Sequence, residues 1–338
     1  MNTLPEANWK HIIDLIRRGE RFMLTTHINP DGDAIGSEMA LNYLLKGLGK
    51  EVRIINDSPL PYYLTFLDPN SEIETLANTP TVPLKLPSLD GIFILDISDW
   101  QRLGRLKEMV KDSPALKICL DHHPAQDRPG DINMVDEGAS NTGILIFELI
   151  NRLEVKLTKP MAEALYVSLL TDTGSFRFSN TNAKAHEMAA QLIRAGVVSH
   201  EIYSKVYEQG SWDRMRLLGK LLSSIESCCQ NKVAYLAVTQ ELLNTYHVHP
   251  DEVEGFVEFP RVIEGVEVVI LFQEIGQEKT RISLRSKGKV NVQEIAHIFG
   301  GGGHPYASGI RLDKSLPESI CSLLGVLEEK LYGLRSEQ

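Results

Sequence analysis

The first part of the chain alternates apolar runs with polar breaks in the order of an α/β domain. Apolar residues recur at helical spacing over 6–19, and the short apolar run 21–27 is typical of a strand. A polar loop at 29–33, a helix that begins at Ala34 and a strand at 52–55 follow. Strand, helix and strand in this order form a βαβ unit, so the pattern predicts a parallel sheet.

Two further apolar runs, at 91–95 and 117–120, indicate buried strands of the same sheet. A helix is predicted between them at 101–111, and two more are predicted at 143–153 and 160–170. The N-terminal part of the chain is therefore predicted to be an α/β domain built on a parallel sheet.

The C-terminal part has a different pattern, in which a long helical region precedes the strands. Residues 184–227 are predicted to be mostly helical, and strand candidates follow at 232–238, 266–273 and 280–286. A glycine-rich turn comes after the last of these strands. The pattern indicates a second, smaller α/β domain.

The length of the chain, 338 residues, fits two domain cores. We expect an N-terminal domain over 1–200, a helical linker over 201–220 and a C-terminal domain over 221–338. No stretch approaches the roughly 18 apolar residues that cross a bilayer, and charges interrupt the opening segment where a secretory signal would be apolar. The expected location is the cytoplasm, with no membrane partner and with the four cysteines reduced.

The net charge limits the partners that the protein can bind. The chain has 35 basic and 45 acidic side chains, a formal charge of −10, and acidic residues are spread along its whole length. A broad basic surface that would bind long duplex nucleic acid through its phosphates is therefore not expected. An anionic substrate would need local positive charge or a metal ion.

Histidine and aspartate residues are concentrated at four places, three of them directly after a predicted strand. The carboxyl ends of parallel strands line the ligand crevice of such sheets, so these side chains are expected to converge. They are His27, Asp31 and Asp33 after the first strand, Asp96 after the strand at 91–95, Asp121, His122 and His123 after the strand at 117–120, and Asp172 after a helical run.

Imidazole nitrogen and carboxylate oxygen are ligands that suit Mn²⁺, Fe²⁺ or Zn²⁺. Each place has an ordinary explanation on its own, since Asp31-Gly32-Asp33 is typical of a solvated turn and Asp96 of a helix cap. Two divalent ions would neutralise four carboxylates, and such pairs activate water and stabilise phosphoryl transfer. The four places together favour a metal site.

These residues resemble the four motifs of the DHH phosphoesterase superfamily, which includes RecJ-type exonucleases and family II inorganic pyrophosphatases. The segment Gly300–Gly309, with the sequence GGGGHPYASG, is similar to the glycine motif of the DHHA1 domain. The combination of an N-terminal DHH catalytic domain and a C-terminal DHHA1 domain most resembles the NrnA-type oligoribonucleases (nanoRNases), which also dephosphorylate 3′-phosphoadenosine 5′-phosphate (pAp).

The resemblance implies a pair of Mn²⁺ ions and a role for each motif residue. The implied ligands are His27, Asp31 and Asp96 for one ion, and Asp33, Asp96, His122 and Asp172 for the other. Asp96 would bridge the two ions. His123 would contact the scissile phosphate or protonate the leaving oxygen, and Asp121 would orient an imidazole ring.

The local positive charge lies in the segment 279–289, which has five basic side chains and no acidic one. On a strand, Arg281 and Arg285 would share one face, and guanidinium groups bind phosphate bidentately. A solvated edge strand is the alternative for this segment alone. Arg281 is expected to contact the end of the substrate from this face, and the family resemblance implies the same role for Arg285, Ser286, Gly301, Gly302, Gly303 and His304.

Three further side chains have two interpretations each. Phe176 and Phe178 would stack on bases, although packing in the core is the favoured interpretation of either ring. Arg102 lies just beyond Asp96 and would reach a phosphate, but a surface role is equally compatible with its position.

The predicted function is a Mn²⁺-dependent phosphoesterase that degrades short oligoribonucleotides to mononucleotides and converts pAp to AMP. One alternative is hydrolysis of cyclic di-AMP or of its linear product pApA, and another is an inactive nucleotide-binding regulator. Exonuclease action on long DNA is disfavoured because a broad basic surface is lacking. Inorganic pyrophosphatase activity is disfavoured by the glycine motif, and a homodimer is compatible with the family.

Overall fold

The computed structural model describes residues 4–76, 88–97, 99–124 and 127–332. The chain divides into two compact units, Met1–Gln209 and Gly210–Gln338. Within the described residues, each unit contains a six-stranded sheet with helices around it. The predicted α/β fold class, with a parallel sheet in the N-terminal part and a second sheet in the C-terminal part, is confirmed.

The first unit alternates helices and strands along most of its length. Its elements are α1 (Glu6–Arg18), β1 (Arg21–Thr25), α2 (Gly32–Gly47), β2 (Glu51–Asn56), β3 (Ile73–Thr75), β4 (Gly91–Leu95), α3 (Leu106–Asp112), β5 (Leu116–Asp121), β6 (Ile132–Val135), α4 (Gly143–Arg152), α5 (Lys159–Asp172), α6 (Ala183–Arg194) and α7 (Ser199–Tyr207). Short 3₁₀ helices lie at Tyr62–Leu67 and Trp100–Leu103.

The sheet of the first unit has the strand order β3-β2-β1-β4-β5-β6, and all its described pairings are parallel. β1 is paired with β2 on one side and with β4 on the other, so Leu24 lies between Ile54 and Phe93. The chain thus reverses its direction of travel across the sheet at β1. Loops that leave neighbouring strands toward opposite sides open a crevice at the strands' carboxyl ends, next to β1 and β4.

Side chains from both faces of this sheet are buried. Phe22 and Phe93 pack in one cluster with residues of α2, α4 and α5, whereas Met23 and Ile92 pack in another with residues of α3. Burial on both faces explains why the strands are continuous apolar runs that do not alternate with polar residues. The helix predicted over 101–111 is instead two pieces, the 3₁₀ helix Trp100–Leu103 and α3.

The second unit begins with a helix and continues with an open sheet. Its elements are α8 (Trp212–Leu222), β7 (Glu226–Cys228), β8 (Val233–Val238), α9 (Gln240–Thr245), β9 (Val268–Gly276), β10 (Lys279–Ser286), α10 (Val292–Ile298), β11 (Gly302–His304), β12 (Ala307–Leu312) and α11 (Leu316–Tyr332). A long 3₁₀ segment, Pro250–Val262, precedes β9.

The strand order in the second unit is β11-β12-β10-β9-β8-β7, with β8 and β9 parallel and the other described pairs antiparallel. α8 and the segment Pro250–Val262 cover one face, and α10 and α11 cover the other. The glycine-rich stretch that was predicted as a turn contains β11, which pairs with β12.

The boundary between the two compact units lies at Gln209 and Gly210. The residues predicted as a linker, 201–220, belong mainly to α7 and α8 on either side of this boundary. In the part of the chain that the structure describes, no helix has both the length and the apolar character that crossing a bilayer requires.

Candidate active site

The loop between β1 and α2 carries three of the candidate ligands. Oδ1 of Asp31 accepts the backbone N–H of Asp33 at 3.0 Å and of Ala34 at 3.1 Å, so Asp31 is the N-cap of α2. Asp33 therefore lies in the first helical turn, where the helix dipole favours negative charge. Nδ1 of the buried His27 lies 2.9 Å from the carbonyl oxygen of Ile28, which leaves Nε2 of this ring available to bind a metal ion.

Asp96 follows β4 directly and has a left-handed backbone conformation, with φ of 60°. Non-glycine residues adopt this conformation rarely, and it is common at functional sites. The backbone N–H of Asp96 donates to the carbonyl oxygen of Leu120 at 3.0 Å, and its Oδ1 accepts the hydroxyl of Thr142 at 2.9 Å. These bonds hold the turn that points the buried carboxylate at His27, whose Nε2 lies 3.4 Å from Oδ2 of Asp96.

At the end of β5, His122 lies among three carboxylates. Its Nε2 is 3.5 Å from Oδ2 of Asp33, 3.6 Å from Oδ2 of Asp172 and 3.7 Å from Oδ1 of Asp96. The four places that the sequence identified are therefore brought together at one edge of the sheet.

His123 has a different environment from His122. Its Nδ1 lies 2.7 Å from Oδ1 of Asp121, and the same oxygen accepts the backbone N–H groups of both histidines. Asp121 is fully buried, so it holds the His123 ring in one orientation. The imidazole that Asp121 contacts in this way is the one that is not among the implied metal ligands.

Three residues that the sequence analysis did not identify support the carboxylates. Asp33 accepts the backbone N–H of Thr142 at 2.7 Å, at the start of α4, and a hydroxyl hydrogen bond from Ser168 of α5. Nδ2 of Asn180 donates to Oδ2 of Asp172 at 3.2 Å. The only local signal for these roles was the run of small polar residues that precedes α4, typical of a helix start.

The residues fit divalent cations of the kind that the family resemblance implies. The described residues contain three overlapping groups of three side chains, and within each group the possible ligand atoms lie within 4.8 Å of one another. Asp96 belongs to two of these groups. Donor atoms that share one ion at about 2.1 Å lie about 3.0–3.5 Å apart, close to the separations seen here. Nε2 of His27 is buried and has no hydrogen-bond partner among the described residues, which is the environment expected of a nitrogen that binds a metal ion. The groups are His27, Asp31 and Asp96; Asp33, His122 and Asp172; and Asp96, His122 and His123.

The electrostatics of the site indicate that it is built for added positive charge. Burial and the charges of Asp33 and Asp31 raise the pKa of Asp96 well above its usual range. Burial and the same two charges raise the pKa of Asp172 to about 8, despite the nearby His122. A divalent cation would offset this repulsion and keep both carboxylates ionised at neutral pH.

A buried polar chain lies beneath the loop that carries His27. Asn56, the last residue of β2, accepts the backbone N–H of Thr26 at 3.2 Å and donates to Oε2 of Glu38 at 2.8 Å. Burial and the charge of Asp68 raise the pKa of Glu38 to about 8, although the hydrogen bond from Asn56 lowers it. Glu38 on α2 is therefore protonated at neutral pH, and it connects the helix to the ends of two strands.

Glu38 is expected to make the stability of the protein fall as the pH rises. Between about pH 5 and pH 7.5, folded Glu38 keeps a proton that the unfolded chain has released, so this group reduces the free energy of unfolding by about 1.4 kcal/mol per pH unit. Glu38→Gln removes the titration and keeps the shape. In urea denaturation across this pH range, the free energy of unfolding of the variant should rise relative to that of the wild type up to about pH 8. If the free energies of the two proteins changed with pH in parallel, the assignment would be contradicted.

The basic residues predicted for substrate binding lie on β10, and each has an acidic neighbour from the segment Pro250–Val262. Arg281 donates to Glu254 at 2.8 Å, and Arg285 donates to Glu258 at 2.9 Å. Glu258 also accepts from Arg261 at 2.7 Å. The segment 279–289 itself contains no acidic residue, but in the folded protein carboxylates from another segment lie beside its arginines. The local charge is therefore less positive than the sequence of the segment indicates.

The glycines of the DHHA1-like motif approach the neighbouring strand closely. A Cβ at Gly301 would lie 2.3 Å from the carbonyl oxygen of Gly309, and a Cβ at Gly303 would lie 2.5 Å from that of Ala307. At these two positions the pairing of β11 with β12 requires glycine. Gly302 has open space around it, and the side chain of His304 lies outside what the structure describes.

Two other residues can be placed. The backbone N–H of Ser286 donates to the carbonyl oxygen of Tyr306 at 2.9 Å, which joins the end of β10 to the turn between β11 and β12. The ring of Phe176 is stacked on His186, with 5.3 Å between the ring centroids, and packs against the core of the first unit. The core-packing interpretation therefore holds for Phe176.

The chain matches two domain families and several known proteins. Residues 21–169 match the DHH family, N-terminal domain, and residues 230–333 match the DHHA1 domain. The bifunctional oligoribonuclease and PAP phosphatase NrnA of Thermus thermophilus is 33% identical over 290 residues, which cover 86% of this chain and 83% of that protein. The protein of the same name from Bacillus subtilis is 28% identical over 301 residues, 88% of this chain and 91% of its own.

A solved structure agrees over nearly the full length. The crystal structure of an exopolyphosphatase-related protein from Bacteroides fragilis has a TM-score of 0.91 and 29% sequence identity, and the match covers 98% of this chain and 99% of that one. Both domain matches lie within the two compact units described above. The chain therefore belongs to the DHH phosphoesterase family, with a DHH N-terminal domain followed by a DHHA1 domain.

Proposed function

We propose that this protein is a metal-dependent phosphoesterase that hydrolyses short oligoribonucleotides to mononucleotides and converts pAp to AMP. The observation that carries the proposal is the convergence of histidine and aspartate side chains around Asp96, which belongs to two ligand groups at once. The relatives from Thermus thermophilus and Bacillus subtilis, both named as oligoribonuclease and PAP phosphatase, support this choice of substrates.

The proposed cofactor is a pair of Mn²⁺ ions, with Asp96 shared between them. Imidazole and carboxylate ligands together favour a transition metal over Mg²⁺, which prefers oxygen ligands alone. The proposed ligands are His27, Asp31 and Asp96 for one ion, and Asp33, Asp96, His122 and Asp172 for the other.

When bound, a pair of divalent cations supplies an activated water nucleophile and offsets the charge on the phosphoryl oxygens. The protein's own proton donor is proposed to be His123. Oδ1 of Asp121 lies 2.7 Å from Nδ1 of His123, so the buried carboxylate orients the ring. The other ring nitrogen then gives a proton to the leaving oxygen of the substrate.

The end of the substrate is proposed to bind at β10 and β11. Arg281 donates to Glu254 from Nη2, and Arg285 donates to Glu258 from Nε and to a backbone carbonyl from Nη1. A guanidinium group has five N–H donors, so both arginines keep donors for a phosphate. The other proposed contacts are Ser286, Gly301, Gly302, Gly303 and His304.

The assay that tests this function compares substrates with and without metal. Purified protein with Mn²⁺ is expected to release mononucleotides from a labelled linear dinucleotide and phosphate from pAp, but to leave long duplex DNA intact. EDTA should abolish both reactions, because the buried carboxylates then lack the charge that offsets their repulsion, and added Mn²⁺ should restore them. Faster hydrolysis of cyclic di-AMP than of the linear dinucleotide would favour the cyclic substrate, and inactivity on every substrate would contradict the proposal.

A further inference from the structure

One guanidinium group beside the candidate metal ligands has no partner among the residues that the structure describes. Arg102 lies in the 3₁₀ helix Trp100–Leu103 and is partly buried. Among the described residues its side chain makes no hydrogen bond and no ion pair. Arg105, by contrast, donates to Oδ2 of Asp57 from both Nε and its backbone N–H, each at 2.8 Å. In a chain with 45 acidic side chains, a partly buried cation without a partner points to a ligand from outside.

The backbone holds Arg102 against the loop that carries His27. The N–H of Ile28, the next residue, donates to the carbonyl oxygen of Arg102 at 2.8 Å. Gly104 follows with φ of 59°, and a Cβ at this position would lie 2.7 Å from Cγ2 of Ile28. Only glycine lets the chain pass this close, so the position of Arg102 relative to His27 is set by direct contact.

The charge of Arg102 acts on two of the candidate ligands. Burial is the largest influence on the pKa values of His27 and Asp31, and the positive charge of Arg102 lowers both. Oδ1 of Asp31 accepts the backbone N–H groups of Asp33 and Ala34, and no ion pair joins Asp31 to Arg102 among the described residues. The guanidinium therefore lies near the ligands and is not neutralised by them.

We propose that Arg102 binds the non-bridging oxygens of the phosphate under attack, next to His27 and Asp31. This inference rests on the proposed function and adds a substrate contact to it. The planar guanidinium fork matches two phosphate oxygens, and its charge remains when the carboxylates are neutralised by the cations. Arg102 would thus be a catalytic residue in addition to the DHH motifs.

The contact also distinguishes substrates by charge. The 3′-phosphate of pAp is a monoester with a charge between about −1.5 and −2, whereas the internucleotide phosphate of the dinucleoside ApA is a diester with a single negative charge. Because Coulomb attraction scales with the product of the charges, Arg102 stabilises the monoester more than the diester. Arg102 is therefore a determinant of the preference between pAp and ApA.

The test uses the full-length protein loaded with Mn²⁺. Arg102→Gln is expected to lower kcat/KM about 100-fold for pAp and about tenfold for ApA, since a charge-assisted bidentate contact is lost. Arg102→Lys keeps the charge without the fork and should lie between the wild type and Arg102→Gln on both substrates. Inorganic phosphate, used as a probe of binding, should inhibit Arg102→Gln about tenfold more weakly than the wild type.

Lys107→Gln on α3 is the matched control, because it removes the same charge from a side chain whose ion-pair separation, to Glu108, is a long 3.9 Å. It should stay within about twofold of the wild type on both substrates. Equal losses on pAp and ApA, an Arg102→Gln variant that behaves like this control, or a fall in bound Mn²⁺ in that variant would each overturn the proposal. A wild type inactive on both substrates would refute the proposed function instead. Phosphate binding by Arg102→Gln and by the wild type would then be compared through the rise in melting temperature that inorganic phosphate causes in each protein, and equal rises would overturn the role of Arg102.

Discussion

Asp96→Asn is expected to lower the turnover of linear dinucleotide and of pAp by about 10³-fold or more, because one substitution changes the ligand that the two proposed ions share. Asparagine suits the test, since it is neutral, has the same shape and tolerates the left-handed backbone at this position, where φ is 60°. Asp96→Ala should cause a similar loss. Turnover by both variants and their Mn²⁺ content, measured by mass spectrometry, check this expectation.

The stability of Asp96→Asn should change in the opposite direction to its activity. Burial and the neighbouring carboxylates raise the pKa of Asp96, so its charge is disfavoured in the folded protein without metal. At pH 8 in EDTA the variant should therefore melt at a higher temperature than the wild type, and Mn²⁺ should stabilise it less.

Asp90→Asn is the control for this experiment, because Asp90 lies just before β4, at the opposite end of the strand from Asp96, and accepts the backbone N–H groups of Glu20 and Arg21. Turnover by this variant should remain. Undiminished turnover by Asp96→Asn would contradict the assignment of Asp96 as a shared ligand.

Gly36→Ala is expected to reduce the free energy of unfolding by about 2–3 kcal/mol, as overpacking of a close contact does. A Cβ at Gly36 on α2 would lie 2.5 Å from the carbonyl oxygen of Ala164 and 2.8 Å from the backbone nitrogen of Ser168, both on α5. Backbone atoms of a helix cannot rotate away, so the two helices must separate. Because Asp33 lies on α2 and Asp172 on α5, the same shift should lower turnover.

The control for Gly36→Ala lies on the same helix. A Cβ at Gly47 would meet only Cε of Met161, at 3.7 Å, so Gly47→Ala should be neutral or stabilise the protein by up to about 1 kcal/mol through helix propensity. Urea denaturation measures both variants. A Gly36→Ala protein as stable as the wild type would show that Gly36 does not set the distance between α2 and α5.

The strands that the sequence predicted well are the buried ones. β4 and β5 are continuous apolar runs because helices cover both faces of the sheet, and that pattern is local. β3, with three residues, and β6, with four, were not predicted, because edge strands this short are defined by their pairing with a neighbour. β11 was predicted as a turn for the same reason, since its glycines become a strand only beside β12.

The acidic partners of the basic strand were beyond the reach of the sequence pattern. Arg281 and Glu254, and likewise Arg285 and Glu258, are 27 positions apart, and they meet because the segment Pro250–Val262 covers one face of the second sheet. Thr142 and Ser168 likewise reach Asp33 from positions 109 and 135 residues away. Contacts over such separations have no periodicity that a single sequence displays.

The types of the candidate metal ligands, their order and their places after strands or at the end of a helix were readable from the chain, because each depends on residue chemistry and on local apolar runs. The tertiary structure decided how these parts combine. It showed that Asp96 is common to two candidate ligand groups, that Asp121 contacts His123, and that the side chain of Arg102, near His27, has no partner within the described part of the chain. These are distances between segments far apart in the chain, and they arise only when the reversal of the chain at β1 and the close packing of α2 on α5 bring the strand ends together.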